Sequence, residues 1–424
     1  MPDLLLQGGT VLTPEGMVPA DVRVSDGRMS EVASSIAGTR EEIVDCRGSW
    51  IGPGFVDLHA HLREPGGEWK EDIESGSEAA AAGGYVGVVA MGNTDPVTDR
   101  GHLARYIQDR GRSVGMVDVV PAGAVTEHQE GERLAHLDEL LAAGVTIFSD
   151  DGRSVADSGL LRRAMDYLAS EGAIVAQHAE DLGLSAGGHM NEGARSARLG
   201  IEGIPALAEE LVVARDLALV RLTGARYHVQ HVSSEGTVDL IRSAKAEGLP
   251  VTAEVTPHHL AFDDSAIEDV DPRFKMYPPL RGMSDRQVLR AALRSGTIDA
   301  VATDHAPHAA HETEVPFEEA PRGVIGLETA AAAARTFGEL GPDELFDRLS
   351  SAPAAIAGLE NHGLPVEVGN PAHLVVFAPD EPFTVDGFHS RSQNSPFSGM
   401  TLSGVVRLTV FGGKPTFREG KVIR

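Results

Sequence analysis

Eight apolar, β-rich runs alternate with Ala- and Leu-rich helical stretches through the middle of the chain. Strands that are apolar on both faces are typical of parallel sheets covered by helices. Eight such units in about 250 residues is the number found in a (β/α)8, or TIM, barrel. The runs are GFVDLHAH, YVGVVAMGN, VGMVDVVPAG, VTIFSDD, AIVAQHAE, RYHVQHVS, PVTAEVTPHH and IDAVATDHAPH. The pattern therefore predicts an α/β fold built on such a barrel.

The two ends of the chain have a different character, with short alternating runs separated by Gly- and Asp-rich turns. This texture is typical of half-buried antiparallel strands. Because both ends share it, we expect one small β domain assembled from both termini. The predicted division is residues 1–50 and 366–424 for the β domain and residues 51–365 for the barrel.

The charge and cysteine content narrow the classes of function. The chain has 36 basic and 63 acidic residues and a net charge of -27, which disfavours binding to nucleic acid or to an anionic membrane. A single cysteine excludes an internal disulfide framework and a cysteine-based zinc finger. The sequence has neither a signal-like start nor a membrane-length apolar run, so we expect a cytoplasmic protein. Any bound metal would need His, Asp or Glu ligands.

Polar residues recur where the apolar runs end. In a barrel the carboxyl ends of all strands meet at one mouth, so these residues are predicted to form one cluster. An H-x-H pair is weak evidence alone, but His59 and His61 share a face of a strand because its side chains alternate with a period of two. Imidazoles and carboxylates without thiolates suit zinc, or manganese, cobalt or iron. The residues are His59, His61, Asn93, Asp150, Asp151, His178, His231, His258, His259 and Asp304.

Some of these residues also have ordinary structural interpretations. Either Asp150 or Asp151 alone could cap a turn or a helix. The same period of two places His228 and His231 on opposite faces, so only one of them can be a ligand from a regular strand. Six other histidines are interpreted as ordinary core or surface residues, namely His102, His128, His136, His228, His362 and His389. A purely structural role for the whole set is disfavoured, because burying many unpaired ionisable groups is costly.

An ordered series of motifs carries a family resemblance. From about residue 45 to the C-terminus the chain is similar to the dihydroorotases of the class I type, in the amidohydrolase superfamily. The resemblance implies a distorted TIM barrel with a small β-sandwich formed by both termini. The motifs are DLHAHLREPG, MGNTDP, FSDDG, QHAED, GIPALAEE, HVQHVSS, TPHHL, PPLR, ATDHAPH and GLET.

The resemblance also implies roles for individual residues. His59 and His61 match the ligands of a first metal, and His178 and His231 those of a second. Asp151 matches the carboxylate that bridges two zinc ions, and Asp304 matches a residue that is both a metal ligand and the catalytic acid/base. The implied substrate-binding residues are Arg63, Asn93 and His308 for the substrate carboxylate, Gly323 for the ring through its backbone N–H, and Tyr277, where relatives usually have Asn.

The implied reaction is the reversible cyclisation of N-carbamoyl-L-aspartate to L-dihydroorotate plus water in pyrimidine biosynthesis, by a metal-activated hydroxide with an Asp acid/base. The implied partners are a second copy of the chain, in a homodimer, and aspartate carbamoyltransferase. One alternative is a cyclic amidohydrolase of the hydantoinase or dihydropyrimidinase type. Those enzymes bridge their metals with a carbamylated lysine, and none of the five lysines here ends a predicted barrel strand. A non-catalytic subunit of aspartate carbamoyltransferase is the other alternative, although such chains tend to lose metal ligands.

Overall fold

The computed structural model describes residues 3–424 of the chain. Its strands are β1 Leu4–Thr13, β2 Gly16–Ser25, β3 Arg28–Ala33, β4 Glu42–Asp45, β5 Trp50–Pro53, β6 Phe55–Ala60, β7 Tyr85–Ala90, β8 Asp118–Pro121, β9 Ile147–Phe148, β10 Ile174–Gln177, β11 Met190–Asn191, β12 Gly203–Ile204, β13 Arg226–Val229, β14 Val251–Val255, β15 Ala300–Val301, β16 Leu374–Thr384, β17 Thr401–Phe411, β18 Lys414–Arg418 and β19 Lys421–Val422.

The helices lie mostly between the strands of the central part. They are α1 Ile73–Ala82, α2 Gly101–Val114, α3 Leu137–Ala142, α4 Ser158–Ser170, α5 Leu182–Ser185, α6 Ala194–Leu199, α7 Leu207–Thr223, α8 Glu235–Ala246, α9 Pro257–Ala261, α10 Met283–Ser295, α11 Ala310–Thr313, α12 Ala330–Phe337, α13 Pro342–Phe346 and α14 Ala352–Ala357. Within residues 3–424, none of them combines the length and the apolar character that crossing a membrane requires.

Each of the eight apolar runs contains a strand, and these strands pair in chain order. Strands β6, β7 and β8 form one parallel sheet, and β9, β10, β13, β14 and β15 form another. Two single parallel bridges, Gly123 to Phe148 and Ala60 to His305, connect the sheets at both edges. The pairings therefore link the eight strands in a closed cycle, with every carboxyl end on the same side.

The two chain termini form one β domain, as the sequence predicts. The nine strands β1–β5 and β16–β19 are hydrogen-bonded in one sheet, in which β16 pairs with β5 and β5 pairs with β1. Strands from both ends of the chain share a single apolar core, which contains Leu4, Val22, Leu374 and Val410. The strands of the expected sandwich therefore all belong to one hydrogen-bonded sheet. Strand β5 ends at Pro53, beyond the predicted boundary at residue 50.

A second face of the terminal sheet packs on the helices around the parallel strands. Val375 and Phe377 of β16 and Phe417 of β18 belong to the same apolar cluster as Phe55, at the start of β6. Burial of this much aromatic and aliphatic surface fixes the β domain against the base of β6. The sheet thereby holds firmly the strand from which His59 and His61 extend.

Candidate metal centre and active site

Five of the six predicted ligands follow the ends of different strands, and the sixth, His59, lies within a strand near its end. His59 is the penultimate residue of β6, and His178 comes directly after β10. His231 and Asp304 have left-handed backbones, with φ of 31° and 46°. Such backbones are uncommon for residues other than glycine and cluster at functional sites. The ends of the strands therefore turn sharply where the side chains must converge.

Asp151 lies between two pairs of histidines. Its Oδ1 is 3.2 Å from Nε2 of His59, and its Oδ2 is 3.4 Å from Nε2 of His61. On the other side, Nδ1 of His178 and Nε2 of His231 are each 3.7 Å from Oδ1. Ligand atoms within each group of three lie within 4.8 Å of one another, and all five residues are buried. The structure thus brings together two triads that share one carboxylate. The first triad is His59, His61 and Asp151, and the second triad is Asp151, His178 and His231.

Asp304 lies beside the first triad. Its Oδ1 is 3.2 Å from Nε2 of His61 and 3.5 Å from Nε2 of His59. The side chain of Asp304 is 9% exposed, so it reaches the cavity while staying close to both imidazoles. All six residues predicted as metal ligands therefore occur in one place, although they come from five distant parts of the chain.

The ligand set fits divalent cations. Nε2 of His59 and Oδ1 of Asp151 are buried and have no hydrogen-bond partner among residues 3–424. Unpartnered buried polar atoms are unfavourable, and a cation between them would satisfy both. Two imidazoles and a carboxylate, with space for further oxygen ligands, are a donor set suited to catalytic zinc.

The two carboxyl groups of the site, Asp304 and Asp151, are ionised. Burial by itself raises the pKa of Asp304, but the charge of His59 and the hydrogen bond from His61 hold that pKa well below its usual range. Burial also opposes ionisation of Asp151, yet the charge of His59 and the nearby imidazoles of His178 and His231 keep its pKa far below the ordinary value. Both carboxylates are therefore anionic at neutral pH, as metal ligands must be.

The buried carboxylate of Glu254 contacts the ring nitrogen of His59 that does not face Asp151. Oε1 of Glu254 is 2.8 Å from Nδ1 of His59, and Oε2 is 3.0 Å from Nε2 of His228. Nδ1 of His228 lies 2.8 Å from the hydroxyl of Thr252. A carboxylate behind a ligand histidine fixes the tautomer that points Nε2 at the metal. The sequence interpretation of His228 as an ordinary core residue did not include this network. The feature that could have indicated it is Glu254, a charged residue within the buried strand β14.

We expect Glu254→Gln to weaken metal binding at the His59 triad by about 10- to 100-fold. The amide is nearly isosteric but lacks the charge that orients and polarises the imidazole. Titration of the purified variant with Zn²⁺ measures the change. Glu209→Gln is the matched control, because Glu209 is also buried but bonds to the backbone and hydroxyl of Ser233. Equal affinities in the variant and the wild type would contradict the role of Glu254.

A cavity of about 150 Å³ opens over the two triads. Arg63, Asn93, Tyr277, His308 and Gly323, the five residues predicted to bind substrate, all line it. The remaining lining residues are His61, Asp151, Gly152, His178, His231, Asp304, Ala306 and Arg322. The structure therefore gathers the predicted substrate-binding residues beside the predicted ligands. Their individual roles stay predictions.

Arg63 and His308 differ in charge. Burial lowers the pKa of Arg63 only to about 10, so the guanidinium is cationic at neutral pH. Burial and the neighbouring Arg63 lower the pKa of His308 to about 3, which keeps its ring neutral. Nε2 of His308 lies 2.9 Å from the carbonyl of Arg322, so this nitrogen carries the proton and Nδ1 is an acceptor. Arg63 is consequently the better group for a carboxylate, and His308 would need a second proton to help.

Two predicted substrate contacts are already used within the protein. Oδ1 of Asn93 accepts a hydrogen bond from Nδ1 of His61 at 2.9 Å, which orients that imidazole toward Asp151. The backbone N–H of Gly323 donates to the carbonyl of Lys275 at 2.8 Å. Donation from Gly323 to a substrate ring would therefore require this bond to break. Asn93 has a supporting contact with a ligand that the sequence did not indicate.

Tyr277 packs among groups of the second triad. The centroid of its ring lies 4.8 Å from that of His178. The guanidinium carbon of Arg322 lies over the Tyr277 ring, 3.9 Å from the ring centroid. Arg322 also donates to the carbonyl of Gly188 at 2.7 Å. Stacking of an arginine on an aromatic ring is favourable and restricts both side chains. Arg322 was not singled out from the sequence, yet it places a second cation in the cavity wall.

The remaining polar candidates serve the framework. Asp150 accepts hydrogen bonds from the backbone N–H groups of Val125 and Thr126, so it holds a loop while its neighbour Asp151 enters the site. His259 bonds to Thr256 and to the carbonyl of Pro278. His258 and His259 lie in α9 and belong to neither triad. Tertiary packing thus separates residues that the sequence left equivalent.

The closed cycle of parallel strands and the paired triads at its carboxyl ends define the class, an enzyme of the cyclic amidohydrolases. A solved structure of that class, the L-hydantoinase (dihydropyrimidinase) from Arthrobacter aurescens, superposes with a TM-score of 0.89 at 25% sequence identity. The match covers 100% of this chain and 98% of the hydantoinase chain.

Sequence comparison narrows the class to one family. A family model described as dihydro-orotase-like matches residues 48–237. The dihydroorotase of Mycobacterium bovis is 46% identical over 95% of this chain and 96% of its own length. The dihydroorotase of Anaeromyxobacter dehalogenans is 44% identical over 99% of both. The chain belongs to the dihydroorotase family.

Proposed function

We propose that this protein is a dihydroorotase of the class I type. It would catalyse the reversible cyclisation of N-carbamoyl-L-aspartate to L-dihydroorotate plus water, a step of de novo pyrimidine biosynthesis. The observation that carries the proposal is the position of Asp151 between two histidine pairs, with the cationic Arg63 in the wall of the same cavity. A metal-assisted site and a group for the substrate carboxylate are both needed for this reaction.

The proposal extends to the fold, the cellular compartment and the protein partners. The cycle of eight parallel strands is then a distorted (β/α)8 barrel that begins after β5, at residue 54, and ends at residue 365, and strands β1–β5 with β16–β19 form the small β domain. We also propose a cytoplasmic homodimer that can associate with aspartate carbamoyltransferase. The acidic net charge of -27 favours solubility over binding to nucleic acid or anionic lipid, which supports the proposed compartment.

Two Zn²⁺ ions are the proposed cofactors. His59 and His61 would hold one ion and His178 and His231 the other, with Asp151 between them and Asp304 at the first site. When bound, zinc polarises a carbonyl and lowers the pKa of water to about 7. The buried, unpartnered ligand atoms and the closeness of the ligand atoms within each triad support this assignment.

Asp304 is the proposed acid/base. In the hydrolytic direction, water adds to the ring amide carbon, and the Asp304 carboxylate accepts a proton from that water. Asp304 then donates the proton to the ring nitrogen as the carbon–nitrogen bond breaks, which yields the ureido group and a new carboxylic acid. That acid loses its proton to solvent at neutral pH. Cyclisation is the reverse, with uptake of that proton and loss of water. The low pKa of Asp304 keeps it ready to accept the proton at neutral pH.

The hydantoinase alternative is favoured by the structural similarity but not by the site. Hydantoins and dihydropyrimidines lack the carboxylate that would pair with Arg63. The lysines at positions 70, 245 and 275 contact Glu312, Asp299 and backbone carbonyls, and it is Asp151 that lies between the two histidine pairs. A non-catalytic role is disfavoured because all six ligand residues are present and close together.

The test of function is a comparison of substrates with the purified protein. We expect hydrolysis of L-dihydroorotate to be strongly preferred over hydrolysis of hydantoin and dihydrouracil, with about two zinc ions per chain by elemental analysis. Removal of metal by a chelator should abolish turnover, and added Zn²⁺ should restore it. Preference for hydantoin would favour the hydantoinase alternative, and turnover of none of the three would favour the non-catalytic one.

Arg63→Lys should raise the KM for dihydroorotate by about 10- to 100-fold with a smaller change in kcat. Lysine keeps the positive charge but loses the two parallel N–H groups that match a carboxylate. Steady-state kinetics measure the effect, and Arg112→Lys at the exposed end of α2 is the control. An unchanged KM would show that Arg63 does not bind the carboxylate.

A further inference from the structure

Asn394 joins two segments of the cavity wall through one buried side chain. It lies in the connection between β16 and β17 and is only 5% exposed. Its Oδ1 accepts a hydrogen bond from the backbone N–H of His308, and its Nδ2 donates to the carbonyls of Ala306 and Gly323, each at 3.1 Å. Ala306, His308 and Gly323 all line the cavity over the metal triads.

The main chain of Asn394 and the side chain of Arg63 extend this connection. The carbonyl of Asn394 accepts from the N–H of Ile325 at 3.1 Å, two residues after Gly323. Nε of Arg63 donates to the carbonyl of Pro307 at 3.2 Å, and Pro307 lies between the two residues of the first segment that Asn394 holds. The position of the Arg63 guanidinium therefore depends on the same short segment.

The segment that carries Asn394 is itself fixed to the loop that follows Arg63. The N–H of Arg391 donates to Glu71, and the hydroxyl of Ser390 donates to the same carboxylate. The hydroxyl of Ser392 donates to the carbonyl of Lys70 at 2.7 Å. Residues 390–394 thus connect the stretch before α1 with the loop after β15, and Asn394 has little freedom to move.

We propose that Asn394 is a positioning residue that sets the geometry of the substrate-carboxylate wall. This inference rests on the proposed function, because it concerns how Arg63 and His308 meet that substrate. The side chain must accept one hydrogen bond and donate two, a combination that an amide provides and a carboxylate does not. A displacement of about 1 Å at a substrate-positioning group can reduce catalytic efficiency by about 10²-fold.

Two substitutions test the proposal. Asn394→Ala removes all three side-chain hydrogen bonds, and Asn394→Asp keeps the shape but turns a carboxylate toward two carbonyl oxygens. We expect both to raise the KM for dihydroorotate and the inhibition constant of orotate by about tenfold or more, with kcat changed less than threefold. Zinc content should stay at the wild-type value. Gln393→Ala, which removes a bond to the carbonyl of Ser390, is the matched control and should leave KM within twofold.

The outcomes separate this proposal from the proposed function. Failure of the wild type to hydrolyse dihydroorotate would count against the function, whatever the variants do. With an active wild type, an Asn394→Asp protein that has unchanged KM would overturn the positioning role, because only space filling would then matter. A parallel loss of kcat and zinc would also overturn it, since the residue would then support the fold generally. If Asn394→Ala does not fold, the isosteric Asn394→Asp decides the question alone.

Discussion

Asp304→Asn is expected to reduce kcat by roughly 10²- to 10⁴-fold while the protein stays folded. The amide has nearly the same shape as the carboxylate but cannot accept a proton from water and return it to the ring nitrogen. Asp304 reaches both the first triad and the cavity, with Oδ1 3.2 Å from Nε2 of His61. Steady-state turnover of dihydroorotate, with thermal unfolding as a check of folding, measures the effect.

A matched control separates catalysis from the loss of a buried charge. Asp216 is also fully buried and bonds to the hydroxyl of Tyr227 at 2.8 Å, away from the cavity lining. Asp216→Asn should therefore change stability more than turnover. Retention of full activity by Asp304→Asn would refute the role of Asp304 as acid/base. A loss of activity accompanied by complete loss of zinc would instead assign Asp304 to metal binding alone.

Asp151→Ala is expected to weaken zinc binding in both triads by more than about 100-fold and to abolish measurable turnover. Replacement of a supporting residue near a metal typically costs 10- to 100-fold in affinity, and removal of a shared ligand should cost more. It would also remove the carboxylate that the two histidine pairs share. Zinc content after dialysis, together with kcat/KM for dihydroorotate, measures the effect.

His178→Ala provides the comparison for the shared carboxylate. His178 belongs only to the second triad, so its replacement should lower zinc content by about one ion per chain, whereas Asp151→Ala should remove both. Equal zinc contents in the two variants would mean that Asp151 serves one site only. Full zinc occupancy of Asp151→Ala would contradict the assignment of this carboxylate as a ligand.

The strand pattern illustrates what local sequence can predict. Each apolar run contains a strand. A continuous apolar run indicates a strand that is buried on both faces, and this pattern can be read from the run alone. The period of two correctly placed His59 and His61 on the same side. Choosing between Asp150 and Asp151 was not possible from such periodicity, because both lie within three residues of the end of β9 and either could cap a turn. Only the N–H groups of Val125 and Thr126, which bind Asp150, decide the matter.

The supporting residues illustrate what sequence alone left out. Glu254 and Asn394 act through partners that lie far away along the chain, at His59 and His308. Asn93 and Gly323 were predicted near the substrate, and both line the cavity, yet each has a partner inside the protein. Hydrogen bonds between distant segments leave no periodic trace, so their pattern could not be predicted from spacing.

Local sequence patterns were enough to predict the eight parallel strands, the β domain of the two termini and the types of side chain available for a metal. These follow from burial and chemical type, which each residue carries locally. The tertiary structure alone decided that Asp151 lies between two histidine pairs and that Asn394 ties the cavity wall together. Distances of a few ångströms between residues far apart in the chain arise only when the strands close into a cycle and the C-terminal segment packs across it.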